Sequence, residues 1–106
     1  MLITTQIVSS MTEQIVRQFQ PQQVILFGSL AHGTAHADSD VDLLIVLPGV
    51  TDKRKAAIAI RRALAQFSVP KDIIVTTPAE LKKFSAIKGS FLRAAVSEGQ
   101  VLYERA

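Results

Sequence analysis

Residues 27–46 read FGSLAHGTAHADSDVDLLIV. Three aspartates, Asp38, Asp40 and Asp42, stand at alternate positions at the head of a strongly apolar run. Ionised carboxylates this close repel one another, and burying one beside apolar residues is costly unless something pairs with it. Two readings follow: the aspartates lie in solvent at a loop's end, or a cation belongs among them.

Two phosphate- and metal-binding motifs share part of this pattern. Gly28 and Gly33 give GxxxxG after an apolar run, the start of a phosphate-binding P-loop. That motif continues with Lys and then Ser or Thr, whereas Thr34 and Ala35 follow here. Asp38, Asp40 and Asp42 also have the spacing that opens an EF-hand calcium loop. Such a loop needs Gly at its sixth position and Glu at its twelfth, where this chain has Leu43 and Gly49. Neither motif is present.

Strand geometry gives a better account. Side chains two apart on a strand project from one face, so Asp40 and Asp42 are expected to point together at the start of the run. Paired carboxylates make a hard-oxygen site of the kind Mg²⁺ prefers, with water and phosphate completing the coordination. Upstream, Gly28 lets the backbone approach a ligand closely, and Ser29 offers a hydroxyl and an amide to phosphate oxygens. A metal held beside such a cradle is the minimum equipment for phosphoryl or nucleotidyl transfer. The bland reading, solvated turn aspartates, is the default for an isolated Asp-x-Asp.

The rest of the chain bounds these readings. At 106 residues it is expected to form one domain, residues 1–106, long enough for a real core. Apolar residues make up 48%, and the mean hydropathy is +0.27, so part of the apolar content is expected in a partner interface. There is no cysteine, which excludes disulfides and thiolate chemistry and fits a reducing compartment. The net charge of +3 permits anionic ligands without indicating a nucleic-acid binder. No apolar run approaches the ~18 residues of a membrane span. The start, MLITTQIVSSMTEQ, lacks the pattern of a signal peptide, so the cytoplasm is the expected location.

Helical and extended patterns alternate along the sequence. Ile7, Met11, Ile15 and Phe19 recur at four-residue steps within Thr4 to Gln20, and Pro21 ends that helix. Val24 to Phe27 reads as a strand ending at Gly28. The following SLAHGTAHADS reads as loop with one helical turn at its start, His36 and Asp38 being solvent-exposed. Val41 to Leu47 reads as a second strand, closed by Pro48-Gly49. Thr51 reads as an N-cap, with Asp52 in the first turn of a helix that buries Ala56, Ile60, Ala63 and Phe67. Its Arg54, Lys55, Arg61 and Arg62 read as a solvated basic face. Ile73 to Thr76 is a third strand, Pro78 to Phe84 and Phe91 to Ser97 are short helices, and Val101 to Tyr103 is a short terminal strand. Glu80 fits the first turn of its helix, where its charge suits the dipole. The expected fold is α/β: a small mixed β-sheet with helices packed on it.

One family matches these residues. Gly28-Ser29, ten residues, then Asp40-Val41-Asp42 with apolar neighbours resembles the nucleotidyltransferase signature of the DNA polymerase beta superfamily. The fuller GSLAHG followed by SDVDLLIV is similar to the minimal nucleotidyltransferases, which are little more than the catalytic core. The resemblance implies the polymerase beta palm-like fold, a Mg²⁺-dependent two-metal site and ATP as donor. It also implies a third carboxylate on a neighbouring strand, and Asp72 in Lys71-Asp72-Ile73-Ile74-Val75 stands at the matching place. A lone aspartate there is otherwise a turn residue. Catalytic and metal-binding roles thus fall to Asp40, Asp42 and Asp72, and nucleotide binding to Gly28, Ser29 and Ser39. Ser39 reads equally well as a turn or capping residue. Where relatives often carry Arg in the turn, this chain has His32, which is only partly charged near neutrality. The resemblance therefore implies the fold more strongly than tight triphosphate binding.

Substrate is less constrained. Minimal nucleotidyltransferases resemble the antitoxin half of modules paired with a helical HEPN-domain toxin, a ribonuclease. The implied reaction is transfer of AMP from ATP to a toxin side chain, with tyrosine as the attacking hydroxyl. Two alternatives stay open: a non-catalytic module that masks a partner by contact, and a nucleotidyltransferase acting on RNA or a small molecule. The modest charge and lack of aromatic-basic clusters weigh against dedicated nucleic-acid binding. A homo-oligomer is compatible with the sequence.

Overall fold

The protein is described by a computed structural model covering residues 5–31 and 40–105. Its elements run α1 (Thr5–Phe19), β1 (Gln23–Phe27), β2 (Val41–Val46), α2 (Lys53–Ala63), β3 (Lys71–Thr76), α3 (Pro78–Phe84), α4 (Phe91–Glu98) and β4 (Gln100–Glu104). The four strands form one sheet in the order β3-β2-β1-β4. β1 pairs antiparallel with β2 and β4, while β2 and β3 are parallel and joined through α2. The expected mixed α/β sheet is therefore present.

The run Leu43-Leu44-Ile45-Val46 is buried throughout because β2 is an interior strand covered on both faces. Alternate residues divide between two clusters. Val41, Leu43 and Ile45 join Val24, Leu26, Ile73 and Val75 under Met11 and Ile15 of α1 and Ile60 of α2. Leu44 and Ile25 meet Ala95 of α4, with Phe27, Ile74, Leu81 and Leu92 packed around them. Full burial of a side chain such as Met11 or Ile60 contributes about 1.5–3 kcal/mol each. The larger cluster anchors the sheet, and the smaller one seats α4 beside the end of β1.

Three expectations need correction. α2 ends at Ala63, so Phe67 lies beyond it, and of Ala56, Ile60, Ala63 and Phe67 only Ile60 is fully buried, the others being half-buried. The N-cap of α2 is Asp52 rather than Thr51: its extended backbone lets the carboxylate accept from the Lys55 N–H at 3.0 Å. A charged cap so placed also suits the helix dipole. β3 begins at Lys71, two residues before Ile73, because the parallel ladder with β2 already runs from Val41↔Lys71. Asp72 is thus a ladder residue and not a turn ahead of the strand. The expected stop of α1 at Pro21 holds, with Gln20 in the left-handed region at φ 52°. Thr77 and Ser90 cap α3 and α4, accepting from Glu80 N–H and Arg93 N–H. Among the described residues, no helix is long and apolar enough to cross a membrane.

Candidate active site

Strand register assembles the candidate residues. Asp42, second in β2, lies opposite Phe27 of β1 and beside Asp72 of β3. Residues paired this way share a face, and neighbouring strands lie about 4.8 Å apart. Both aspartates therefore stand on the α3/α4 side of the sheet, in line with Leu44 and Ile74. Asp40 is exposed immediately ahead of β2. Burial, then the charges of Asp72 and Asp40, raise the Asp42 carboxyl above the ordinary carboxylate value. Two loop ends and a parallel crossover have brought three like charges to one corner.

Gly28 closes the other side of Asp42. It follows β1 with φ 76°, in the left-handed region that side chains disfavour. A Cβ built there would collide with Asp42 Oδ2 and come within 3.1 Å of its Cγ. Glycine thus serves two purposes: it makes the turn and leaves room for the carboxylate. The turn continues through Ser29 to Ala31, whose N–H donates to the Gly28 carbonyl at 3.2 Å. Ser39, His32, His36 and Asp38 lie outside the described residues.

Asp72 has a partner the sequence did not reveal. Arg61 Nη2, reaching from α2, lies 3.5 Å from Asp72 Oδ1, with both side chains about half exposed at 53% and 51%. On a helix showing Arg54, Lys55, Arg61 and Arg62, nothing in the spacing singles out Arg61. Only the β2–α2–β3 crossover places it beside Asp72. Glu80 is in the first turn of α3 as expected, and it also accepts from Lys53 Nζ at 2.8 Å.

Among the described residues, no three His, Cys, Asp or Glu side chains are drawn together closely enough to hold a metal ion. The donor chemistry nonetheless suits a hard divalent cation. Carboxylates offer acceptor oxygens only, and among the described residues Asp40 and Asp42 join no ion pair.

The sequence matches the family described as nucleotidyltransferase domain over residues 9–102. This chain belongs to the nucleotidyltransferase-domain family. A protein of Methanocaldococcus jannaschii, provisionally named a protein adenylyltransferase, is 35% identical over 82 residues, covering 77% of this chain and 78% of that protein. The fold is similar to the crystal structure of a provisionally named nucleotidyltransferase from Sulfolobus solfataricus, with a TM-score of 0.61 and 20% identity. That alignment covers 94% of this chain and 79% of the other. A toxin–antitoxin structure with AMP-PNP is also similar, with a TM-score of 0.58 and 21% identity, covering 92% and 73%. Family membership places the Gly28-Ser29 turn and the aspartates of β2 and β3 in a nucleotidyltransferase domain.

Proposed function

We propose that this nucleotidyltransferase-family protein transfers AMP from ATP to a hydroxyl of a partner protein, in a Mg²⁺-dependent reaction. The observation that carries the reading is the β2–β3 register, which sets Asp42 beside Asp72 with Gly28 against Asp42. Asp40, Asp42 and Asp72 would hold the metal, and Gly28, Ser29 and Ser39 would receive the triphosphate. Bound Mg²⁺ supplies neutralisation of the phosphate charge and of the departing pyrophosphate. The hydroxyl oxygen forms a bond to the α-phosphorus, the bond from that phosphorus to the β-bridging oxygen breaks, and the hydroxyl proton leaves to water or a carboxylate. Pyrophosphate and an AMP ester result.

The partner proposed is a helical HEPN-domain toxin, with this chain as its antitoxin and a tyrosine as the acceptor. Support comes from the family resemblance, the provisionally named adenylyltransferase relative and the toxin–antitoxin neighbour. The test uses ATP labelled at the α- or the γ-phosphate, with Mg²⁺ and the toxin. Label from the α-position alone should appear on the toxin, on tyrosine. Label from the γ-position would indicate a kinase, and no label with full neutralisation of the toxin would favour masking by contact.

A further inference from the structure

The end of the sheet that carries the aspartates also carries an aromatic cleft. Phe27, just before Gly28, meets Phe91 at the start of α4 edge-to-face, with centroids 5.2 Å apart and planes at 81°. Phe91 nonetheless remains 46% exposed. Beside the pair lies a cleft of about 90 Å³, lined by Phe27, Gly28, Phe91, Ala94, Glu98 and Gly99. That is well below the roughly 300–1,000 Å³ of a pocket that encloses a whole small molecule. It suits one planar group lying on a ring with its other side in water. Gly28 belongs both to this cleft and to the contact with Asp42, so the cleft opens directly beside the carboxylates.

The lining selects the kind of group. Gly28, Ala94 and Gly99 clear the floor of bulk, while the two rings supply flat apolar surface. Glu98 places a carboxylate at the rim, which repels phosphate. The cleft is thus suited to the neutral, planar end of a nucleotide rather than to its phosphates.

We propose that Phe91 is the base-stacking residue, holding the nucleobase of the nucleotide whose phosphates lie at the Gly28-Ser29 turn. The proposal rests on the reading of this site as a nucleotidyl-transfer site. Every base has a π-face, so stacking alone confers affinity with little base preference. The exposed ring keeps its site open in the free protein and is covered when the nucleotide binds.

The test compares ATP with inorganic tripolyphosphate, both with Mg²⁺, by titration calorimetry on the full chain. Phe91→Ala should weaken ATP at least about fivefold, the lower end of measured base–aromatic stacking, and leave tripolyphosphate unchanged. Retained tripolyphosphate binding also reports an intact fold. Phe91→Trp gives a second readout that does not depend on the truncation, because the chain has no other tryptophan. ATP should quench its fluorescence and tripolyphosphate should not. Unchanged ATP affinity in Phe91→Ala, equal losses for both ligands, or a tryptophan unaffected by bound ATP would overturn the assignment while leaving the transfer site standing. A parent protein that binds neither ligand would overturn the transfer reading and the stacking with it.

Discussion

A side chain at Gly28 would have to share the space of the Asp42 carboxylate. The turn after β1 and the second residue of β2 are therefore fixed by one another, although fourteen positions apart in the chain. Gly28→Ala should cost about 1–2 kcal/mol for the left-handed backbone alone, and it should abolish nucleotidyl transfer by displacing Asp42. Thermal melts and a labelled-ATP assay measure the two effects. A variant that melts and transfers like the parent would show that this contact does not shape the site.

Asp42 itself should be a stability liability. Folding raises its pKa above the ordinary value of 3.8, through burial and the neighbouring Asp72 and Asp40, with Arg61 offsetting part of the Asp72 charge. The folded state then holds the proton more tightly than the unfolded chain does. The resulting stability is fully present below that ordinary value and is lost as pH rises through the raised one. At neutral pH without divalent cations, Asp42→Asn should accordingly melt above the parent. The gap should close as pH falls toward the ordinary carboxylate range, and an unchanged gap would point to packing instead.

Arg61 sits on the only β3 aspartate of the site, and the exposed pair is worth about 0–1 kcal/mol. Arg61→Ala should leave the melting temperature nearly unchanged. Since the guanidinium competes for Asp72, the same variant should bind Mg²⁺ more tightly, as calorimetry would detect. Weaker Mg²⁺ binding would mean that Arg61 holds Asp72 in place rather than occupying it.

Gly99 is a packing position as well as a helix end. A Cβ there would collide with the Ala95 carbonyl and approach Ile25 Cγ2 and Leu26 O within 2.8 Å. The main-chain atoms of β1 have little room to give way, so Gly99→Ala should destabilise by about 1–3 kcal/mol. Denaturant melts should show a shifted midpoint with an unchanged slope.

These positions show which features the sequence carries openly. The alternation of helix and strand was readable because apolar residues recur with period four in α1 and run unbroken through the interior strand β2. Gly28, Asp40 and Asp42 stood out because a carboxylate pair heading an apolar strand needs an explanation. Arg61 did not, because four exposed basic residues on one helix look alike until the crossover selects one. The start of β3 was hidden for a related reason: Lys71 and Asp72 are poor strand formers, and pairing with β2 overrides that preference. Thr51 and Asp52 are both good caps, and backbone geometry chose between them. Phe91 read only as the start of a short helix, since its approach to Phe27 depends on how α4 crosses the sheet.

The most direct test of the site is ATP binding measured by calorimetry with Mg²⁺ and with a chelator, on the parent and on Asp42→Asn. The carboxylates cannot hold a triphosphate unless their charge is neutralised, so the parent should bind ATP only with Mg²⁺. Asp42→Asn should lose that metal-dependent binding although it folds at least as stably. Equal ATP affinity in chelator, or an undiminished Mg²⁺-dependent affinity in Asp42→Asn, would contradict a metal-dependent nucleotidyl-transfer site at these aspartates.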